Sequence, residues 1–196
     1  MLFLETIGLW YSGWMQFDPQ SAKTTGYHIF LEPENELRDE IQAIIDALAR
    51  AHGGPTFTPH VTLLARIPGN SDEEVIARSQ KLAQEMNPFS ISFTQIETRP
   101  AYFQACFLRL AAEHSVVEYH KRAREVFGVE NTKNYLPHMS LFYGNLTASE
   151  SAQLLSEIRL PNRSLEFKVD KLHIYQTPGA VDDWKKIAEA PVSSSA

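Results

Sequence analysis

The sequence predicts an α+β protein made of two similar lobes around a shared cleft. Three observations point there. Apolar residues switch repeatedly between helical spacing and strand alternation along the chain. The order strand, helix, strand, helix, strand runs through twice. The phrase PHVTLL at 59–64 returns as PHMSLFYG at 137–144, with 138 − 60 = 78 residues between the two histidines. That distance is too long for a solenoid repeat and marks a pair.

The elements follow in order. Residues 1–25 show no clear period and end in the polar run QSAKTTG, so they read as a poorly packed N-terminal extension. YHIFLE (27–32) is apolar and β-prone, a strand stopped by Pro33. The next segment carries Leu37, Ile41, Ile44, Ile45 and Leu48 at helical spacing, closed by Gly53 and Gly54. TFTPHVTLLARI (56–67) is a strand, ended by Pro68-Gly69. SDEEVIARSQKLAQEM is a helix with Ser71 as N-cap and Glu74 at the capping-box position. FSISFTQIETR (89–99) alternates apolar and polar residues, a half-buried strand.

The pattern then restarts. AYFQACFLRLA (101–111) is a strand, and residues 113–127 form a helix closed by Gly128. YLPHMSLFYG (135–144) is a strand. A helix over 147–158 has Thr147 as N-cap and Glu150 at the box position. A long strand is expected over 164–177 and a short final one over 183–192. The organisation is therefore one domain, 26–192, with repeat units of about 26–99 and 101–192.

In a strand, alternate side chains share a face. His60 and Thr62 point one way, and so do His138 and Ser140; Val61, Leu63, Met139 and Leu141 anchor the opposite face. A cleft between the two strands would hold two imidazoles and two hydroxyls. An imidazole titrates near pH 6.5, so one can be neutral while the other is protonated. That pair supplies the base and the acid for in-line displacement at phosphorus, with the hydroxyls donating to non-bridging oxygens. In a chain with seven histidines, chance supplies ~1 His-x-Ser/Thr match. Two copies, each after proline and at corresponding places in a repeat, go beyond chance. A histidine that merely caps a strand start would explain one copy, not both.

At these residues the sequence resembles the two-histidine phosphoesterases, and within them the plant and yeast cyclic phosphodiesterases, over about residues 26–191. FTPHVTLL and YLPHMSLFYGNLT look like that family's signature strands, YFQACFLRL (102–110) like the strand before the second helix, and DDWKKIAEAPV like its closing segment. The resemblance implies a bilobal fold of two antiparallel-sheet lobes with outer helices around a central cleft. It implies metal-free hydrolysis, with no cofactor, of ADP-ribose 1″,2″-cyclic phosphate and of nucleoside 2′,3′-cyclic phosphates, the latter opened to 2′-phosphates. His60 and His138 would then be the catalytic pair, and Thr62 and Ser140 the phosphate ligands. Tyr143 matches a tyrosine that the family places at the site. Flat alternation aims it away from His138, which a twist or bulge near Gly144 would resolve. Phe30 stands where plant members carry tryptophan; it can stack on a base or ribose but has no indole N–H.

Other residues carry less. His114 and His120 lie in a helix and read as surface; His28 and His173 read as packing histidines in strands; His52 has no hydroxyl partner. Cys106 reads as a packing residue, Trp184 as an anchor of the last strand, and Tyr102 and Phe103 as packing or base-stacking residues. No zinc spacing, P-loop or dinucleotide glycine motif occurs.

The net charge of −6 argues against a general grip on duplex nucleic acid. One cysteine allows no internal disulfide. The apolar N-terminus has no basic residue before Lys23 and is too short and interrupted to span a bilayer, so a cytoplasmic monomer acting on a small nucleotide is expected. Two alternatives remain: a relative that processes RNA 2′,3′-cyclic ends or 2′–5′ linkages, and a nucleotide-binding module without turnover.

Overall fold

The structure is a computed structural model and describes residues 23–130 and 135–193. Its strands are β1 (Tyr27–Leu31), β2 (Val61–Ile67), β3 (Phe89–Glu97), β4 (Cys106–Leu110), β5 (His138–Phe142), β6 (Glu166–Val169), β7 (Lys171–Gln176) and β8 (Lys185–Pro191). Its α-helices are α1 (Asn35–His52), α2 (Asp72–Gln84), α3 (His114–Phe127) and α4 (Ala148–Glu157). The helix ends follow the sequence signals. Gly53 closes α1 in the left-handed region at φ 74°, Ser71 accepts from the Glu74 N–H, and Thr147 with Glu150 makes a reciprocal capping box.

All pairs are antiparallel, in the order β6-β3-β4-β5-β2-β1-β7-β8. The two histidine strands are thus central neighbours. Each half holds four strands, but the halves are not the sequence repeats. The third strand of the first repeat, β3, pairs with β4 of the second; β7 of the second pairs with β1 of the first. The helices exchange too: α1 packs on β5 and α3 on β2.

Two sequence expectations change here. The single strand expected over 164–177 is two, β6 and β7, meeting at Asp170. They lie toward opposite ends of the strand order, so one intervening residue requires the sheet to curl until its ends approach. The strand expected over 101–111 begins only at Cys106. Pro100 cannot donate to a ladder, and Tyr102–Gln104 form a 3₁₀ turn closed by the Gln104 N–H on the Ala101 carbonyl.

The core is continuous across both halves. Ile29, Leu31, Ile41, Ile45, Val61, Leu63, Leu82, Met86, Leu108, Met139, Leu141 and Ile174 are all buried in it. Within the stretch expected as a loose extension, Thr24 is buried, bridges Gly179, and donates through its hydroxyl to the Thr177 carbonyl. Residues 1–22 of that expected extension lie outside the described residues. Among the described residues no helix is long and apolar enough to cross a membrane.

Candidate active site

The two histidine strands touch at one register position, Val61 opposite Met139. Continuing that register sets His60 across from Ser140 and Thr62 across from His138, since each pair sums to 200. The two histidines are then diagonal neighbours, ~7–8 Å apart along the backbone. Val61 and Met139 are fully buried on the other face. The shared cleft expected between the two lobes is therefore lined along the seam where their central strands pair.

The two imidazoles are held alike. His60 Nδ1 donates to the Thr58 carbonyl at 2.7 Å, and His138 Nδ1 donates to the Leu136 carbonyl at 2.8 Å. Each bond runs to the residue two places earlier, across the proline, and leaves Nε2 as the nitrogen available for proton transfer. The prolines have a clear local role: a residue before proline is pushed to extended backbone, which sets Thr58 and Leu136.

Their surroundings differ. His60 is 6% exposed and stacks on Phe30, with ring centroids 3.8 Å apart. Burial, with a smaller push from the nearby His138 and His173, takes its pKa down to about 4. The Thr58 carbonyl and the Glu32 carboxylate oppose this. Glu32 is itself buried and bonded to Lys186 at 2.9 Å. His138 is half-buried, with Phe107 edge-on at 4.9 Å. Burial lowers its pKa as well, while the Leu136 and Phe103 carbonyls favour its protonated form. Both imidazoles therefore sit below the ordinary histidine range, so the expected split into one neutral and one protonated ring at pH 7 does not hold in the unliganded site.

The hydroxyls differ too. Ser140 is buried and donates to the Phe103 carbonyl at 2.9 Å. Thr62 is half-buried and its hydroxyl has no hydrogen bond among the described residues. Tyr143 is buried just past the end of β5, stacked on Phe57 at 3.8 Å and within reach of Ser140. Its phenol is held protonated by burial. The parity problem is solved at Leu141, earlier than Gly144. One step on β4, Cys106 to Phe107, spans two on β5, Phe142 to Ser140. The extra residue is a bulge that turns Tyr143 to the histidine face. Gly54 helps seat the facing loop, because a Cβ there would lie 2.8 Å from the Tyr143 carbonyl.

Phe30, read as a platform for base or ribose, has its ring covered. It is 1% exposed and contacts His60, Tyr175 and Trp184, so it backs the imidazole. His120, read as a surface histidine, is buried. Its ring stacks on Tyr135 at 3.6 Å and its Nδ1 donates to the Leu63 carbonyl. Cys106 is buried and its thiol pushed up to about 12, an inert packing residue.

Two cavities meet at His60 and Trp184. One, of about 310 Å³, is lined by His28, His60, Thr62, Arg66, Phe103, His138, Ser140, Tyr143 and Trp184 among others. The other, of about 320 Å³, is lined by Phe30, Phe57, Thr58, His60, Tyr175, Asp182 and Trp184 among others. Trp184, read as a strand anchor, is thus a wall of the site. It faces Phe103 with centroids 6.2 Å apart at 29°, and its indole N–H is buried without a hydrogen bond among the described residues. Phe107 was also missed, although it pairs with Ser140 as Phe30 pairs with Thr62. The repeat itself could have found Phe107; nothing local marks Trp184. Among the described residues no cluster of His, Cys, Asp and Glu has the makings of a metal site.

Comparisons with known proteins agree on the fold. The sequence pattern of the 2′-5′ RNA ligase superfamily matches residues 33–180. A cyclic phosphodiesterase of Arabidopsis thaliana is 23% identical over 175 residues, 86% of this chain and 96% of that protein. Escherichia coli LigT, solved with 3′-AMP, superposes with a TM-score of 0.61 at 13% identity, over 88% of this chain and 100% of LigT. A Thermus thermophilus protein, TT0787, superposes with a TM-score of 0.58 at 17% identity, over 87% of this chain and 99% of TT0787.

Proposed function

The chain belongs to the 2′-5′ RNA ligase superfamily, and from that premise we propose that it hydrolyses cyclic phosphodiesters of small nucleotides by metal-independent acid–base catalysis. The observation that carries this reading is the crossed arrangement of His60 with Ser140 and Thr62 with His138, each imidazole held by Nδ1 with Nε2 left over. The similarity to a plant cyclic phosphodiesterase supports the substrate class.

His60, buried and pushed down to about 4, is the general base. His138, whose protonated form two carbonyls favour, is the general acid. Water attacks phosphorus as His60 Nε2 takes its proton. The bond from phosphorus to one ribose oxygen breaks, and that oxygen takes the proton from His138 Nε2. The Thr62 hydroxyl donates to a non-bridging oxygen as charge develops there. Ser140, tied to the Phe103 carbonyl and close to Tyr143, holds that side of the site in place. The nucleoside lies against Trp184 and Phe103.

The test is turnover of nucleoside 2′,3′-cyclic phosphates and ADP-ribose 1″,2″-cyclic phosphate, with the product read by phosphorus NMR. The expected outcome is a 2′-phosphate from the former and rates unchanged by EDTA. Tight nucleotide binding without product would instead identify a binding module. A strong preference for cyclic-ended oligonucleotides would identify an RNA-processing enzyme.

The pH dependence follows from the same assignment. kcat/KM falls on the acid side as His60 protonates, near pH 4. It falls on the alkaline side as His138 loses its proton, below pH 6.5. The optimum therefore lies between these limits.

A further inference from the structure

The cavity that holds the histidine pair extends along β2 beyond the chemistry. Thr62 and Arg66 both line it, and four residues of strand separate them by ~13 Å, less the reach of the arginine side chain. A single cyclic phosphate occupies only one end of such a cleft.

The far end is built in an unusual way. Arg66 has φ 55°, the left-handed region that favours glycine. The cause is a second bulge. Two steps on β1, Tyr27 to Ile29, span three on β2, Ile67 to Leu64. An extra residue in β2 bends the strand and re-aims its side chains. A strained backbone of this kind persists where the surroundings hold it and is concentrated at functional sites. Arg66 is exposed, and among the described residues it makes no ion pair.

Opposite the bulge stands His28, 5% exposed, lining the same cavity, with its Nε2 buried and without a hydrogen bond among the described residues. Its imidazole feels the charges of both His60 and Arg66, which places it between the catalytic end and the far end. The far end thus presents a free guanidinium beside an imidazole with unused hydrogen-bonding capacity. Among the described residues no carboxylate lines this cavity to neutralise it. A guanidinium grips phosphate through charge-assisted hydrogen bonds, and a neutral imidazole beside it can donate one more through its ring N–H.

Resting on the phosphodiesterase reading above, we propose that Arg66 and His28 form a second phosphate subsite, which selects cyclic phosphodiesters carrying a further phosphoryl group on the 5-oxygen of the same ribose. Arg66 is the specificity residue; His28 supports it from β1. The further group has two chemical sources, a 5′-monophosphate or a pyrophosphate that continues to a second nucleoside.

The left-handed backbone supplies a clean variant. Arg66→Gly removes the guanidinium and suits φ 55°, so the fold tolerates it. The substrates are adenosine 2′,3′-cyclic phosphate, the same compound with a 5′-phosphate, and ADP-ribose 1″,2″-cyclic phosphate. In the wild type the 5′-phosphate should lower KM about tenfold or more, as charge-assisted contacts of this class do. In Arg66→Gly that advantage should disappear, with kcat/KM for the unphosphorylated compound unchanged. Arg66→Lys should restore part of it. Comparing the loss for the monophosphate with that for the pyrophosphate tells which source the subsite fits. An unchanged 5′-phosphate preference in Arg66→Gly, or equal losses on all three substrates, would overturn the proposal. If no substrate is turned over at all, the phosphodiesterase reading fails instead. The subsite is then judged by calorimetry with the 5′-phosphorylated and unphosphorylated cyclic nucleotides on wild type and Arg66→Gly, where equal affinities in the wild type would refute it.

Discussion

The two halves of the site spend the same four residues in opposite ways. On the β2 side the imidazole is locked: His60 is buried, stacked on Phe30 and held by Thr58. Its neighbour Thr62 has no hydroxyl bond among the described residues. On the β5 side the imidazole is freer and half-buried, while Ser140 is tied to the Phe103 carbonyl. The difference lies in which neighbour follows the phrase. Both strands bulge one place past the hydroxyl residue, at Leu63 in β2 and at Leu141 in β5, but the next residue on the site face is Ala65 in β2 and Tyr143 in β5, so only Ser140 gains a phenol beside it. The duplicated motif is thus made asymmetric by the residue that follows a shared bulge, Ala65 on one side and Tyr143 on the other.

The strongest way to break the comparison is to remove each imidazole. His60→Ala and His138→Ala should each lower kcat/KM on a cyclic nucleotide by ~10²–10⁴-fold, since each loses one proton transfer. Circular dichroism should show both variants folded. A variant with near-normal turnover would remove its histidine from the mechanism.

The hydroxyls should separate next. Thr62→Val should cost ~10²-fold in kcat, as loss of one donor to developing charge does. Ser140→Ala should instead cost about 1 kcal/mol of stability, because the Phe103 carbonyl loses its partner. Equal kinetic losses for the two, with no stability difference, would make them equivalent ligands.

Phe30→Leu keeps an apolar side chain of reduced size but removes the stacked ring. Less complete burial should raise the His60 pKa from about 4 and move the acid limb of the kcat/KM profile upward. An unmoved limb would mean the ring does not set this environment.

The smallest effect concerns pH and folding. His28 and His60 are pushed down to about 3 and about 4 by burial. The unfolded chain, titrating near 6.5, therefore binds more protons than the folded one below that pH. Their contribution to stability is complete above pH 6.5 and declines as pH falls toward the folded values. His28→Leu should flatten the fall in Tm between pH 6.5 and 5 relative to wild type. A parallel fall would mean that His28 does not contribute.

Much of this was legible in the sequence, for identifiable reasons. The helices were, because their apolar spacing and caps are local: Ser71 with Glu74, Thr147 with Glu150, Gly53 after α1. The histidine phrases were, because strand alternation fixes which residues share a face. What was not legible depends on register and on long-range packing. The exchange of β3 and β7 between halves, the break at Asp170, and the bulges at Leu141 and beside Arg66 are decided by which edges pair. No residue type announces them. Trp184 looked like an anchor because its partners Phe30, Phe103 and Tyr143 are distant in sequence. His120 looked exposed because the partner of its Nδ1, the Leu63 carbonyl, lies 57 residues away.

The central claim is that His60 and His138 do different jobs, and one measurement addresses it directly. A phosphodiester with a nitrophenol leaving group departs as a stable anion and has no need of a general acid. On that substrate His138→Ala should keep a rate close to wild type, while His60→Ala should remain as impaired as on the cyclic nucleotide. Equal impairment of both variants, or rescue of His60→Ala alone, would contradict the assignment of base and acid.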